Sequence, residues 1–173
     1  MKLFYMLFAL AAFTSGVFAQ KAQTMTIKVY FHSDKIDPEW NDCKKVYPVA
    51  RIIPETPGVA TAALQAFLKG PTQTEEKEFS GFSAPETNGI LKSVKVKNGG
   101  AYVNLTKSVY EQMGNATTSC GGGFFSGVDA TLMQFPTIKK VYYAIEGNTN
   151  DFYEWVQVGE CPYTKKICAS SNF

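Results

Sequence analysis

Residues 91–105 read Leu91-Lys92-Ser93-Val94-Lys95-Val96-Lys97-Asn98-Gly99-Gly100-Ala101-Tyr102-Val103-Asn104-Leu105. Val94 and Val96 alternate with Ser93, Lys95 and Lys97, and Ala101, Val103 and Leu105 alternate with Tyr102 and Asn104. A period of two sends successive side chains to opposite faces of a strand. Asn98-Gly99-Gly100 between the two runs supplies the positive φ that a tight hairpin requires. An antiparallel pair is therefore expected here, and the rest of the chain must be built around it.

The same reasoning extends along the sequence. Met25, Ile27, Val29 and Phe31 alternate with Thr26, Lys28, Tyr30 and His32, which predicts a strand with His32 on its polar face. Val46 to Ile53 reads as a second strand ending at Pro54. Thr56-Pro57 opens a helix in which Ala60, Ala63, Leu64, Phe67 and Leu68 share one face, until Gly70-Pro71 stops it. Residues 72–85 read as an irregular connection with room for one helical turn. Lys107 to Met113 predicts a short helix, and Phe124, Val128, Leu132 and Phe135 share a face of a longer one ending before Pro136. Val141, Tyr143 and Ile145 predict another strand, with Gly147-Asn148 turning into Phe152 to Val158. The order of strands, helix, hairpin, helix and strand predicts an α/β (α+β) domain: a small mixed sheet with two main helices packed on one face.

Met1-Lys2, the apolar run Leu3 to Phe13 and Val17-Phe18-Ala19 before Gln20 have the form of a secretory signal, so 1–19 is expected to be removed by cleavage after Ala19. The run is too short to cross a bilayer, so no stable membrane span is expected after cleavage. Residues 20–158 then form one domain and 159–173 a cysteine-bearing tail, in a chain that is exported to the extracellular space, periplasm or cell envelope. Of the seventeen Lys and Arg, Lys2 leaves with the signal, so sixteen basic side chains face fifteen acidic ones. That balance offers no basic stripe for nucleic acid. In an oxidising compartment Cys43, Cys120, Cys161 and Cys168 predict two disulfides, with Cys161–Cys168 and Cys43–Cys120 preferred among the three pairings. No metal site is expected, since no two cysteines lie two to four apart and His32 is the only imidazole.

Three blocks in order carry a family resemblance: Lys69-Gly70-Pro71-Thr72 after a helix, then Leu91 to Leu105, then Thr131-Leu132-Met133-Gln134-Phe135-Pro136-Thr137-Ile138-Lys139-Lys140-Val141 through Glu146-Gly147. Over Thr26 to Gly147 the chain resembles the GerMN domains of sporulation and spore-germination proteins. The resemblance implies a ring-building-motif-like fold and an envelope or secreted module that binds and assembles, with no catalytic residue to carry over. Asn104 stands where the family often has an acidic residue. Phe152-Tyr153-Glu154-Trp155 and the Cys161 to Cys168 segment are additional to the family pattern.

Some residues could carry chemistry outside that implication. His32, on a polar face, reads as a solvated side chain able to titrate near neutrality. A Cys120–His32 dyad would need a free thiolate, against which export argues. Glu75, Glu76 and Glu78 could supply the two acids of a glycoside hydrolase, though adjacent glutamates beside Lys77 read first as a solvated face. Gly121-Gly122-Gly123 before a helix could hold an anion but lacks the phosphate-loop lysine. Asn104-Leu105-Thr106 and Asn115-Ala116-Thr117 fit the glycosylation sequon. The aromatic surplus is more informative: Tyr30, Tyr102 and Tyr142 are expected to face away from the helices, with Trp155 on a neighbouring strand. Such a face would bind an envelope protein or a glycan, unless a loop or the C-terminal tail covers it. The expected function is an exported noncatalytic binding or assembly module without a cofactor. The alternatives are a glycan-binding module using the aromatic face and a hydrolase using a carboxylate pair.

Overall fold

A computed structural model describes residues 23–84, 86–114 and 123–173. The predicted signal peptide, Cys120, Gly121-Gly122 and the sequon at Asn115 lie outside the described residues. The elements run β1 Thr24–Ser33, β2 Tyr47–Pro54, α1 Val59–Phe67, β3 Phe79–Ser80, β4 Leu91–Lys97, β5 Gly100–Leu105, α2 Ser108–Met113, α3 Gly123–Met133, β6 Lys140–Ile145, α4 Thr149–Trp155 and α5 Lys165–Cys168. The class is α+β. The strands divide into two three-stranded sheets, ordered β2-β1-β3 and β4-β5-β6, where one sheet was expected.

The hairpin β4–β5 pairs Lys97 with Gly100, leaving a two-residue turn in which Asn98 (φ 51°) and Gly99 (φ 77°) are both left-handed. That is the turn whose twist matches a right-twisted ribbon. β6 then joins β5 in parallel, Val103 opposite Tyr143 and Leu105 opposite Ile145. β1 pairs antiparallel with β2, Val29 opposite Val49, and its last two residues pair with β3.

The sheets stay separate because a helix occupies the open edge of β1. The Gln134 carboxamide accepts from Lys28 N–H at 2.9 Å and donates to Lys28 C=O at 2.7 Å, while Tyr30 N–H donates to Thr131 Oγ1 at 3.3 Å. Side chains at the C-terminal end of α3 thus take the place of a neighbouring strand and satisfy backbone groups that an edge would leave unpaired. One turn earlier, Gly127 lets the helix lie against the strand. A Cβ there would come within 2.6 Å of Tyr30 O and 2.7 Å of the Phe67 ring.

The core lies among these layers. Val29, Leu64, Ile90, Val103, Val109, Leu132 and Ile145 are wholly buried. A polar pair enters it where Tyr143 O–H donates to the Asp129 carboxylate. Burial pushes the Asp129 carboxyl up to about 6, only partly offset by that hydrogen bond, and burial also raises the Tyr143 phenol. β4 is half-exposed, and Val96, on the apolar side of its alternation, is 44% exposed.

The segment after β6 is a helix, α4, where an extended stretch was expected. Asn148 caps it, its side chain accepting from Asn150 N–H at 3.0 Å, with Asp151 in the first turn. Beyond α4, a disulfide joins Cys161 to Cys168, with Cα atoms 6.2 Å apart. No described cysteine is free.

Candidate functional site

β1 leaves its sheet partner β2 at Phe31 and continues through His32 to Ser33 against β3. At this point α1 ends at Phe67, α3 begins at Gly123-Phe124, and the 34–46 loop folds back over the strand. Together they enclose a pocket of about 320 Å³, lined on its walls by Phe31, Phe67, Phe82 and Phe124 and at one end by Trp40 and His32. The rings hold one another in place. Phe31 stacks on Phe67 at 5.3 Å, and Phe124 meets Phe67 tilted at 5.4 Å and Phe82 edge-on at 5.6 Å. Such edge and offset contacts are the favourable geometries for aromatic quadrupoles. Ser80, Gly81 and Glu86 stand at the rim, the last two exposed.

His32 is 4% exposed, which corrects its expected place on a solvated face. Alternation fixes which side of β1 the imidazole leaves from, but the 34–46 loop then covers that side. The ring stacks on Trp40 at 3.7 Å, and its Nε2 lies 3.0 Å from Asp37 C=O. Asp37 in turn holds the loop, its carboxylate accepting from the backbone N–H of Asn41 at 3.0 Å and of Asp42 at 3.1 Å. The N–H of Asp42 and then that of Asn41 keep the Asp37 carboxyl below the usual range. His32 Nδ1 is buried and makes no hydrogen bond.

Serine, aspartate and histidine do meet here, but not in catalytic order. Ser80 O–H donates to Asp34, and His32 Nε2 stands 3.9 Å from the other oxygen of that carboxylate. Nucleophilic catalysis needs the base on the nucleophile and the carboxylate behind the base. In this pocket the hydroxyl is spent on the carboxylate and the Nε2 proton on a backbone carbonyl. Nor do the glutamates form an acid pair across a cleft. Glu75 is clamped by Arg51, Nη1 at 2.7 Å and Nη2 at 2.6 Å, and accepts from Thr72 N–H at 2.9 Å. Arg51 holds its carboxyl below the usual range, so Glu75 serves as a structural anion rather than as part of a fully solvated face.

The four aromatics expected to share one face are divided among three places. Tyr30, half-buried, borders the pocket. Tyr102 and Tyr142 do lie together, 5.1 Å apart, on the face of β5–β6 turned away from the helices. That face is covered: Phe173 meets Tyr102 edge-on at 5.4 Å, Tyr163 meets Tyr142 at 5.0 Å, and Tyr102 is 6% exposed. Trp155 is on α4, not on a strand, packed edge-on against Phe125 and Tyr110 with its Nε1–H donated to Gly114 C=O at 2.9 Å. Sequence reasoning missed Phe31, Phe67, Phe82 and Phe124 as a cluster, because each occupies an ordinary core position in its own segment. The signal available was the density of Phe, thirteen in the chain.

The sequence profile of the family Germane, described as sporulation and spore germination, matches residues 28–151. Among curated proteins nothing matches. Among solved structures, the first GerMN domain of the sporulation protein GerM from Bacillus subtilis is similar at 23% identity, covering 81% of this chain and 94% of that one, with a TM-score of 0.43. The tandem GerMN domains of the same protein are similar at 19% identity with a TM-score of 0.47, covering 82% of this chain and 45% of that one.

Proposed function

We propose, from the premise that this chain belongs to the Germane family of sporulation and spore germination, that it is an exported, noncatalytic binding or assembly module of the cell envelope or extracellular space. We further propose that it engages a protein partner at the pocket between β1, α1 and α3. The observation that carries this reading is the pocket itself, a cavity of about 320 Å³ lined mainly by aromatic rings, with His32, Ser80 and Glu86 among its polar lining. Concave apolar sites with few polar groups are the common form of a binding site, and aromatic anchors dominate the energy of interfaces. The Cys161–Cys168 bridge fits an oxidising compartment. Among the described residues no helix is long and apolar enough to cross a membrane.

Phe82 tests the reading, because it is half-buried on the pocket wall and its ring is anchored by Phe124 alone among the aromatic contacts. Phe82→Ala is expected to weaken capture of the partner from envelope extracts by roughly thirtyfold, on the order of 2 kcal/mol. Thermal unfolding run alongside separates lost binding from lost fold. Undiminished capture by a folded Phe82→Ala protein overturns the site. A secreted protein whose N-terminal residue, read by mass spectrometry, is other than Gln20 overturns the expected cleavage.

A further inference from the structure

Charge is near balance over the whole chain but not face by face. On the side of the β4–β5–β6 sheet turned away from the helices, β4 places Lys95 opposite Tyr102 and Lys97 opposite Gly100, and β6 places Lys140 opposite Gly100 from the other flank. No strand residue on this side is acidic. The tail lies over the two tyrosines with Ile167 packed against them, and it adds Lys165 and Lys166 from the same turn of α5 against its single acid, Glu160. Lys95, Lys140, Lys165 and Lys166 are exposed. Rings, not carboxylates, fix two of the ammonium groups: Lys97 Nζ sits 5.1 Å from the centre of the Tyr102 ring and Lys140 Nζ 4.5 Å from that of Tyr163. A ring positions a cation and leaves its full charge in place. Lys95 Nζ donates to the main-chain oxygen of Phe173. Among the described residues, the ion pairs with acidic side chains take Lys35, Arg51, Lys92 and His32, and none of these five lysines.

We infer that this side of the β4–β5–β6 sheet, with the tail seated on it, docks on an anionic lipid bilayer, its lysines meeting the headgroup phosphates. The spacing decides the kind of anion. Positions on one face of a strand recur about every 7 Å, and β4 lies about 10 Å from β6 across β5, so the cations spread in two dimensions. A single small anion needs donors converging on one point, whereas a plane of headgroups meets a plane of lysines. Each lysine near such a surface adds a modest attraction, and several together make a peripheral attachment. Nothing need cross the bilayer, and among the described residues no helix is long and apolar enough to do so. The face shares no residue with the lining of the aromatic pocket, so it adds a second surface to the protein and does not depend on what the pocket binds.

Sedimentation with vesicles tests this on the whole protein. It is expected to pellet with equimolar phosphatidylglycerol and phosphatidylcholine, to stay in solution with phosphatidylcholine alone, and to be released as salt is raised toward about 1 M, where the Debye length shrinks to about 3 Å. Lys165→Gln/Lys166→Gln changes exposed side chains that have no partner among the described residues, and it is expected to weaken binding to the anionic vesicles about thirtyfold. Lys69→Gln/Lys77→Gln removes the same charge from exposed positions outside this face and is expected to weaken binding by no more than about threefold. Thermal unfolding confirms that both variants keep the wild-type fold. Equal weakening by the two variants assigns the binding to net charge and overturns the face. Pelleting with phosphatidylcholine alone overturns the role of charge. A protein that binds soluble polyphosphate but no anionic vesicle overturns the bilayer as partner, and one that binds neither overturns the surface altogether.

Discussion

Asp129 is half-buried beside Tyr143, where desolvation makes its charge costly. The unfolded group titrates near 3.8 and the folded one near 6, so between those values the folded protein keeps a proton that the unfolded chain releases. Stability therefore falls as pH rises through this window, and the gap amounts to at most about 3 kcal/mol above pH 6. Asp129→Asn keeps an acceptor for Tyr143 O–H and removes the titration. Urea unfolding is expected to find it more stable than wild type at pH 7 and little different at pH 3.5, whereas a difference independent of pH would refute the assignment. Gly127 is constrained by space. Gly127→Ala would press a methyl onto Tyr30 O and the Phe67 ring, an overpacking expected to cost about 1–3 kcal/mol or more, read as a lower denaturation midpoint. At this scale the sequence was legible where a residue answers to its neighbours in the chain, as at Asn98-Gly99. It misled where folding back decides: the alternation along β1 does not announce that the loop directly after it, held by Asp37, returns over His32.

Among the elements, the hairpin, α1, α3 and β6 are readable from periodicity because each keeps its apolar residues at strand or helix spacing, even in β5, where both faces end up buried. The division into two sheets was not, since it depends on Gln134 meeting a strand edge 106 residues earlier in the chain. Gln134→Leu keeps helix propensity and bulk but leaves both Lys28 backbone groups to water or to nothing. A loss of about 1–2 kcal/mol is expected, a fall in melting temperature of roughly 2–8 °C for a domain of this size. An unchanged melting temperature would show that the carboxamide does not guard the edge. α4 was misread for a related reason. Phe152-Tyr153 and Trp155 look strand-like by residue type, and the cap at Asn148 outweighs that preference. The aromatic face of β5–β6 existed as expected for Tyr102 and Tyr142, but the tail that covers it, Tyr163 to Phe173, joins it only through tertiary contact.

For the whole molecule, family membership and pocket geometry bear on different questions. The family match gives the kind of domain, and the proposal places its partner at the pocket. Among the described residues the most exposed large apolar side chain, Ile52 on β2 at 75% exposure, is the natural rival surface. A photo-crosslinking residue decides between them in the intact protein: p-benzoylphenylalanine introduced at Phe82 or, separately, at Ile52, followed by irradiation of whole cells and identification of the adducts. The account predicts a covalent adduct with an envelope protein from the Phe82 position and none from Ile52. Adducts from Ile52 with none from Phe82 would contradict it.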